Sequence, residues 1–102
     1  MRPVLFGDMV SATRALLCAP VGRRWLLARS MLDEADAADR YLRRLGRAHP
    51  RWGNGTLMAR ASRLPLAPEP GFQNADYVEC LILMLEALRR RRTGLRTQRV
   101  PR

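Results

Sequence analysis

Ala28, Met31, Ala35, Ala38, Leu42 and Leu45 recur at steps of 3, 4, 3, 4 and 3 residues. That is the spacing of a helix laid along another helix. It predicts one long helix from Arg23 to Leu45, ended by Gly46, which can adopt the left-handed cap. The alanine rungs let a partner backbone come close. Trp25 and Leu32 widen the apolar face near its start. Sixteen Leu and thirteen Ala against a single Ile exclude an all-β domain. With 102 residues there is room for one small domain.

Punctuation residues bound the other helices. Asp8 follows Gly7 and reads as the N-cap of a first helix that Pro20 ends at Cys18 or Ala19. Thr56 caps a short helix, Leu57 to Arg63. Pro65, Pro68 and Pro70 make residues 65–71 an extended connector. Asn74 caps a last helix, Ala75 to Arg91, with Asp76 in its first turn and arginines at its end, both suited to the helix dipole. The fold class is all-α: a small bundle of three main helices plus one short one. Residues 1–92 form the helical domain, and residues 93–102 a disordered basic tail.

The last helix carries a stripe of Val78, Leu81, Ile82, Leu85 and Leu88. Cys80, Leu83 and Met84 make its middle apolar all round. A bundle of this size cannot cover such a helix on every side. Cys80, Leu83 and Met84 are therefore expected at a homo-oligomer interface. No stretch reaches the roughly 18 apolar residues of a membrane span, so no membrane partner is expected. Cys18 and Cys80 sit in apolar stretches and read as small buried hydrophobes of a reducing, cytoplasmic protein.

The chain carries a net charge of +10, and all nineteen basic residues are Arg. Seven of them fall in residues 89–102, which hold no acid, so the body is only mildly basic. A run such as Arg89, Arg90, Arg91 and Arg92, continued by Arg96 and Arg99, is an electrostatic footprint for DNA phosphates. Nothing in it reads base edges, so the contact expected is non-specific. Asp36–Arg40 and Asp39–Arg43 have the favourable i,i+4 order of a solvated helix face.

Catalysis finds no support. One His and two distant Cys make no metal site, and no phosphate-binding or metalloprotease motif occurs. Asp33, Glu34, Asp36 and Asp39 turn around their helix rather than gather. No enzyme, metal or cofactor is expected, and His49 reads as a loop-packing residue. The loop from Gly46 to Gly55 leaves two readings open. Trp52 folds back over the bundle as a plug, or Arg47, Arg51 and Trp52 form a basic-aromatic patch for a partner. A helix-turn-helix is disfavoured, because the second helix is too long and its seam is committed to packing.

The opening Met1-Arg2-Pro3-Val4-Leu5-Phe6-Gly7-Asp8, the stretch Ala35-Asp36-Ala37-Ala38-Asp39-Arg40, and Gly46-Arg47-Ala48-His49-Pro50-Arg51-Trp52-Gly53 resemble a family of small alphaproteobacterial proteins. That family is associated with gene transfer agent clusters, at the place of a small terminase subunit. The resemblance implies an oligomeric phage-like DNA-packaging adaptor that touches DNA and hands it to a large terminase subunit. The chain departs from the usual pattern in lacking a clear N-terminal DNA-reading domain, which suits indiscriminate packaging. The alternative is a non-enzymatic protein-binding regulator or adaptor that does not contact nucleic acid.

Overall fold

Asp8 sits one turn inside the first helix rather than at its cap. In the computed structural model, which describes residues 1–99 and side chains through Arg92, helix α1 spans Phe6–Leu17. One Asp8 oxygen accepts a hydrogen bond from the Leu5 amide at 2.8 Å, the half of a capping box that Leu5 cannot return. The other accepts from the amide of Met58 at 2.8 Å. Met58 lies in the first turn of α3, Leu57–Ala61. The buried carboxylate thus serves two helix N-termini at once, which offsets its desolvation.

A single 3-10 turn, Val21–Arg23, leads into α2, Arg24–Leu45. Gly46 closes α2 with φ 73° and its amide bonded to the Leu42 carbonyl, as expected. After α3 the proline-rich connector lies along α1. Arg14 Nε donates to the Ala67 carbonyl at 2.6 Å, and the Ala67 amide returns to the Arg14 carbonyl. The last helix, α4, runs Ala75–Arg99, past the expected end at Arg91. The backbone of residues 93–99, expected in the disordered basic tail of residues 93–102, continues α4, while side chains from residue 93 onward and all of residues 100–102 lie outside the described residues. Among the described residues there is no strand, only an isolated bridge between His49 and Gly53.

Arg24 fixes how the helices meet. Its guanidinium donates to the carbonyls of Leu17 and Ala19 at the end of α1 and to Asp76 at the start of α4. The Arg24 bond holds the Asp76 carboxyl below its ordinary value. Fifteen residues further along α4, Arg91 reaches Asp33 and Asp36 of α2. The starts of α2 and α4 therefore lie together, and the two helices run in the same direction. The amino end of α1 lies by Asp36 instead, so α1 runs against both.

The seam is buried where the spacing places it: Ala28, Met31, Ala35 and Ala38 are fully enclosed. Leu42 is half-buried and Leu45 exposed. At 22 residues α2 is almost twice as long as the 12-residue α1, and its end outruns the bundle. The expected face of α4 needs correction. Tyr77, Cys80, Met84 and Ala87 are the buried residues. Cys80 and Met84, expected at an oligomer interface, fill the core instead, and Leu83 is half-buried against it. With leucines on every side the periodicity selects no face. The face that meets the core residues of α1 and α2 carries Cys80, Met84 and Ala87, so narrow and wide side chains are buried together there. Ile82 and Leu85 are left outside, 53% and 51% exposed. Cys18, expected to be buried, is exposed at the C-cap of α1. Burial pushes the Cys80 thiol up, keeping it protonated and inert.

Candidate nucleic-acid surface

Because α2 and α4 run the same way, their arginine-rich ends point in one direction. The C-terminal half of α2 presents Arg40, Arg43 and Arg44 to solvent. Arg43 Nη2 meets Asp39 at 2.8 Å and Arg40 Nη1 meets Asp36 at 3.8 Å, the two i,i+4 pairs expected from the sequence. Each keeps its guanidinium extended at the surface while one face is held.

Asp36 joins the two helices. Its Oδ2 accepts from Arg91 Nη2 at 2.8 Å while Arg40 approaches the same oxygen. Its Oδ1 takes the Met1 ammonium at 2.5 Å. Burial works to raise this carboxyl. The Met1 hydrogen bond, with the charges of Met1, Arg40 and Arg91, overcomes that and holds it below its ordinary value. Asp39, fully buried beside it, faces Met1, Arg2 and Arg43.

The loop after Gly46 extends this surface. His49 and Gly53 exchange backbone hydrogen bonds at 2.9 and 3.0 Å. His49 Nδ1 accepts from the amides of Arg51 and Trp52 at 3.0 and 3.1 Å. An accepting Nδ1 leaves the ring proton on Nε2. The His49 ring stacks on Trp52 at 4.6 Å and 8°, with Tyr41 edge-on at 4.8 Å. Gly53 and Gly55 pin the loop to the bundle. Both have positive φ, and a Cβ on Gly55 would lie 2.7 Å from Asp39 Cα. Arg63 Nη1 donates to the Pro50 carbonyl at 2.8 Å and holds the loop from the other side.

Of the residues expected to meet DNA, Arg91 is tied to Asp33 and Asp36. Arg89 and Arg90 share Glu86, and Arg90 also lies 5.1 Å over the Trp25 ring. Arg92 is exposed. The side chains of Arg96 and Arg99 lie outside the described residues. Arg47 and Arg51 are exposed and Trp52 half-buried in the loop. Trp52 is not part of the main core, so it packs the loop rather than plugging the bundle. On sequence alone Arg40, Arg43 and Arg44 are an ordinary solvated face, and Arg63 carries no signal. The pairing of Asp36 with Arg40 is legible there, but the arrival of Arg91 from 55 residues away is not.

Residues 2–88 match a family described as a domain of unknown function, DUF7742. The chain belongs to this family. The DUF7742 stretch includes α2, the loop and Arg63, and it ends one residue before Arg89. No curated protein and no solved structure matches the chain. Among the described residues no helix is long and apolar enough to cross a membrane, and no group of His, Cys, Asp and Glu could hold a metal ion.

Proposed function

We propose that this chain is a non-enzymatic, oligomeric DNA-packaging adaptor of the phage-like small terminase kind, working in the cytoplasm beside a large terminase subunit. The observation that carries the reading is the meeting of Arg40 and Arg91 on Asp36. It joins the arginines of α2 and the loop to those of α4 in one basic end. Its cations are extended guanidiniums on helix faces, partly neutralised and not aimed as a fork at any base edge. Such a surface engages phosphates and tolerates any sequence.

Binding of two unrelated duplexes across a salt series tests this. Both duplexes should bind with the same affinity, and log K should fall linearly with log salt. Replacing Arg43, Arg44 and Arg47 together by Ala should lower the slope by about 0.9 for each phosphate that is no longer neutralised. Strong preference for one duplex would mean that a base-reading element exists elsewhere. Absence of binding at low salt would favour the second reading, a protein-binding regulator. That reading has its own observation: Leu5, Phe6 and Met58 are exposed, with the Met58 methyl against Gly7.

A further inference from the structure

The outer face of α4 is apolar, uncovered and charged in two halves. Ile82 and Leu85 are about half exposed, with Val78 one turn before Ile82. A groove lined by Val21, Trp25, Ile82 and Leu83 borders this face and widens it. The acids Asp76, Glu79 and Glu86 occupy the first half of the helix, and Arg89 to Arg92 follow. Glu79 is exposed and has no ion pair among the described residues.

We propose that this face pairs with the same face of a second copy, the two α4 helices running antiparallel about a twofold axis between Ile82 and Leu85. The inference rests on the reading of a self-assembling adaptor and supplies its contact. The axis sets Ile82 of one copy over Leu85 of the other, so the exposed leucine and isoleucine cover each other twice. It also brings Glu79 of each copy within a turn of Arg89 and Arg90 of the other. A parallel pair would set acid on acid and arginine on arginine, which is repulsive. The charge order along α4 is thus complementary to its own reverse. The polar rim supplies direction, and the buried centre supplies the affinity.

Sedimentation of the full chain at micromolar concentration tests the pairing, with circular dichroism to verify that each variant stays helical. Wild type should dimerise, and Leu85→Glu should abolish association. Glu79→Arg alone and Arg89→Glu alone should each weaken it about tenfold, because the reversed charge meets its like on both sides of the axis. The double variant Glu79→Arg/Arg89→Glu should recover most of the lost affinity. A monomeric wild type overturns the pairing and the self-assembly it rests on. An assembly indifferent to the reversals, or not rescued by the double variant, overturns this pairing and leaves self-assembly through another face. DNA affinity measured on Leu85→Glu, which changes no arginine, keeps the nucleic-acid reading separate from both.

Discussion

Arg91 is bound to Asp36 at 2.8 Å across the α2–α4 contact, and through that one carboxylate it becomes a neighbour of Arg40 and of the Met1 ammonium. A single anion therefore holds three cations. It stabilises their crowding and also withholds part of their charge from any phosphate. Removing it has two opposite consequences, one for the fold and one for binding.

Asp36→Asn should destabilise the bundle by about 1–3 kcal/mol, since three cations lose their shared counter-charge. The same change should tighten DNA binding at low salt, because Arg40 is released to phosphates and Arg91 keeps only Asp33. Thermal melts and duplex titrations check the two halves independently. A variant that is less stable and also binds DNA less well would remove Asp36 from the role of regulator of surface charge.

Acid should unfold the protein through its carboxylates. Asp36, Asp76 and Glu86 all lie below their ordinary values when folded. The unfolded chain then takes up protons first as pH falls. Stability from these groups is complete above the ordinary carboxylate range of about 4 and is lost as pH falls through the folded values. Urea midpoints should hold level from neutral pH to about 5 and drop towards pH 3. Asp36→Asn should flatten part of that drop, and an unchanged acid limb would locate the coupling elsewhere.

Two glycines of positive φ make a matched pair. Gly46, at φ 73°, has open space where a Cβ would go, whereas at Gly55, φ 96°, a Cβ would strike the α2 backbone at Asp39. Gly46→Ala should cost about 1 kcal/mol, the penalty of the left-handed cap alone. Gly55→Ala should cost several times that, because the new Cβ meets backbone and the loop has to lift away from α2. Equal losses in chemical denaturation would show that the loop is not pressed on α2.

Trp52→Ala should be tolerated better than a truncation in the core. Its ring is half-buried on His49, outside the enclosed cluster, so a loss of about 1–2 kcal/mol is expected. Met84→Ala, at a fully buried site, should lose about 2–5 kcal/mol. The ranking of the two melting temperatures decides whether Trp52 serves the loop or the whole bundle.

Helix positions are legible wherever a local device sets them. Pro20, Gly46, Thr56 and the prolines of the connector act on their own neighbours, so the ends of α1, α2 and α3 can be read to within two residues. The seam from Ala28 to Ala38 is legible because small and large residues alternate on one face only. The buried face of α4 is not, because a helix apolar all round offers no period to choose by. Asp8 reads one turn out of place because the residue at the cap, Leu5, has no side-chain acceptor to mark it. The surface arginines read as a tail signal because their charge is densest there. The convergence of α2 and α4 on Asp36 depends on the parallel course of two helices separated by a loop, a short helix and a connector.

The double duty of Asp8 orders events during folding. A helix of five residues is far too short to persist alone, and nucleation theory denies α3 any independent existence. Its first turn has Thr56 from its own loop, but the Met58 amide is satisfied only once α1 stands in place. The short helix is therefore a dependent of a segment made 50 residues earlier, and its formation records that α1 has docked. The Met58 amide proton becomes a natural clock for that event: its exchange with solvent should slow in step with α1, and Asp8→Ala should set it free while leaving the distant amides of α4 protected.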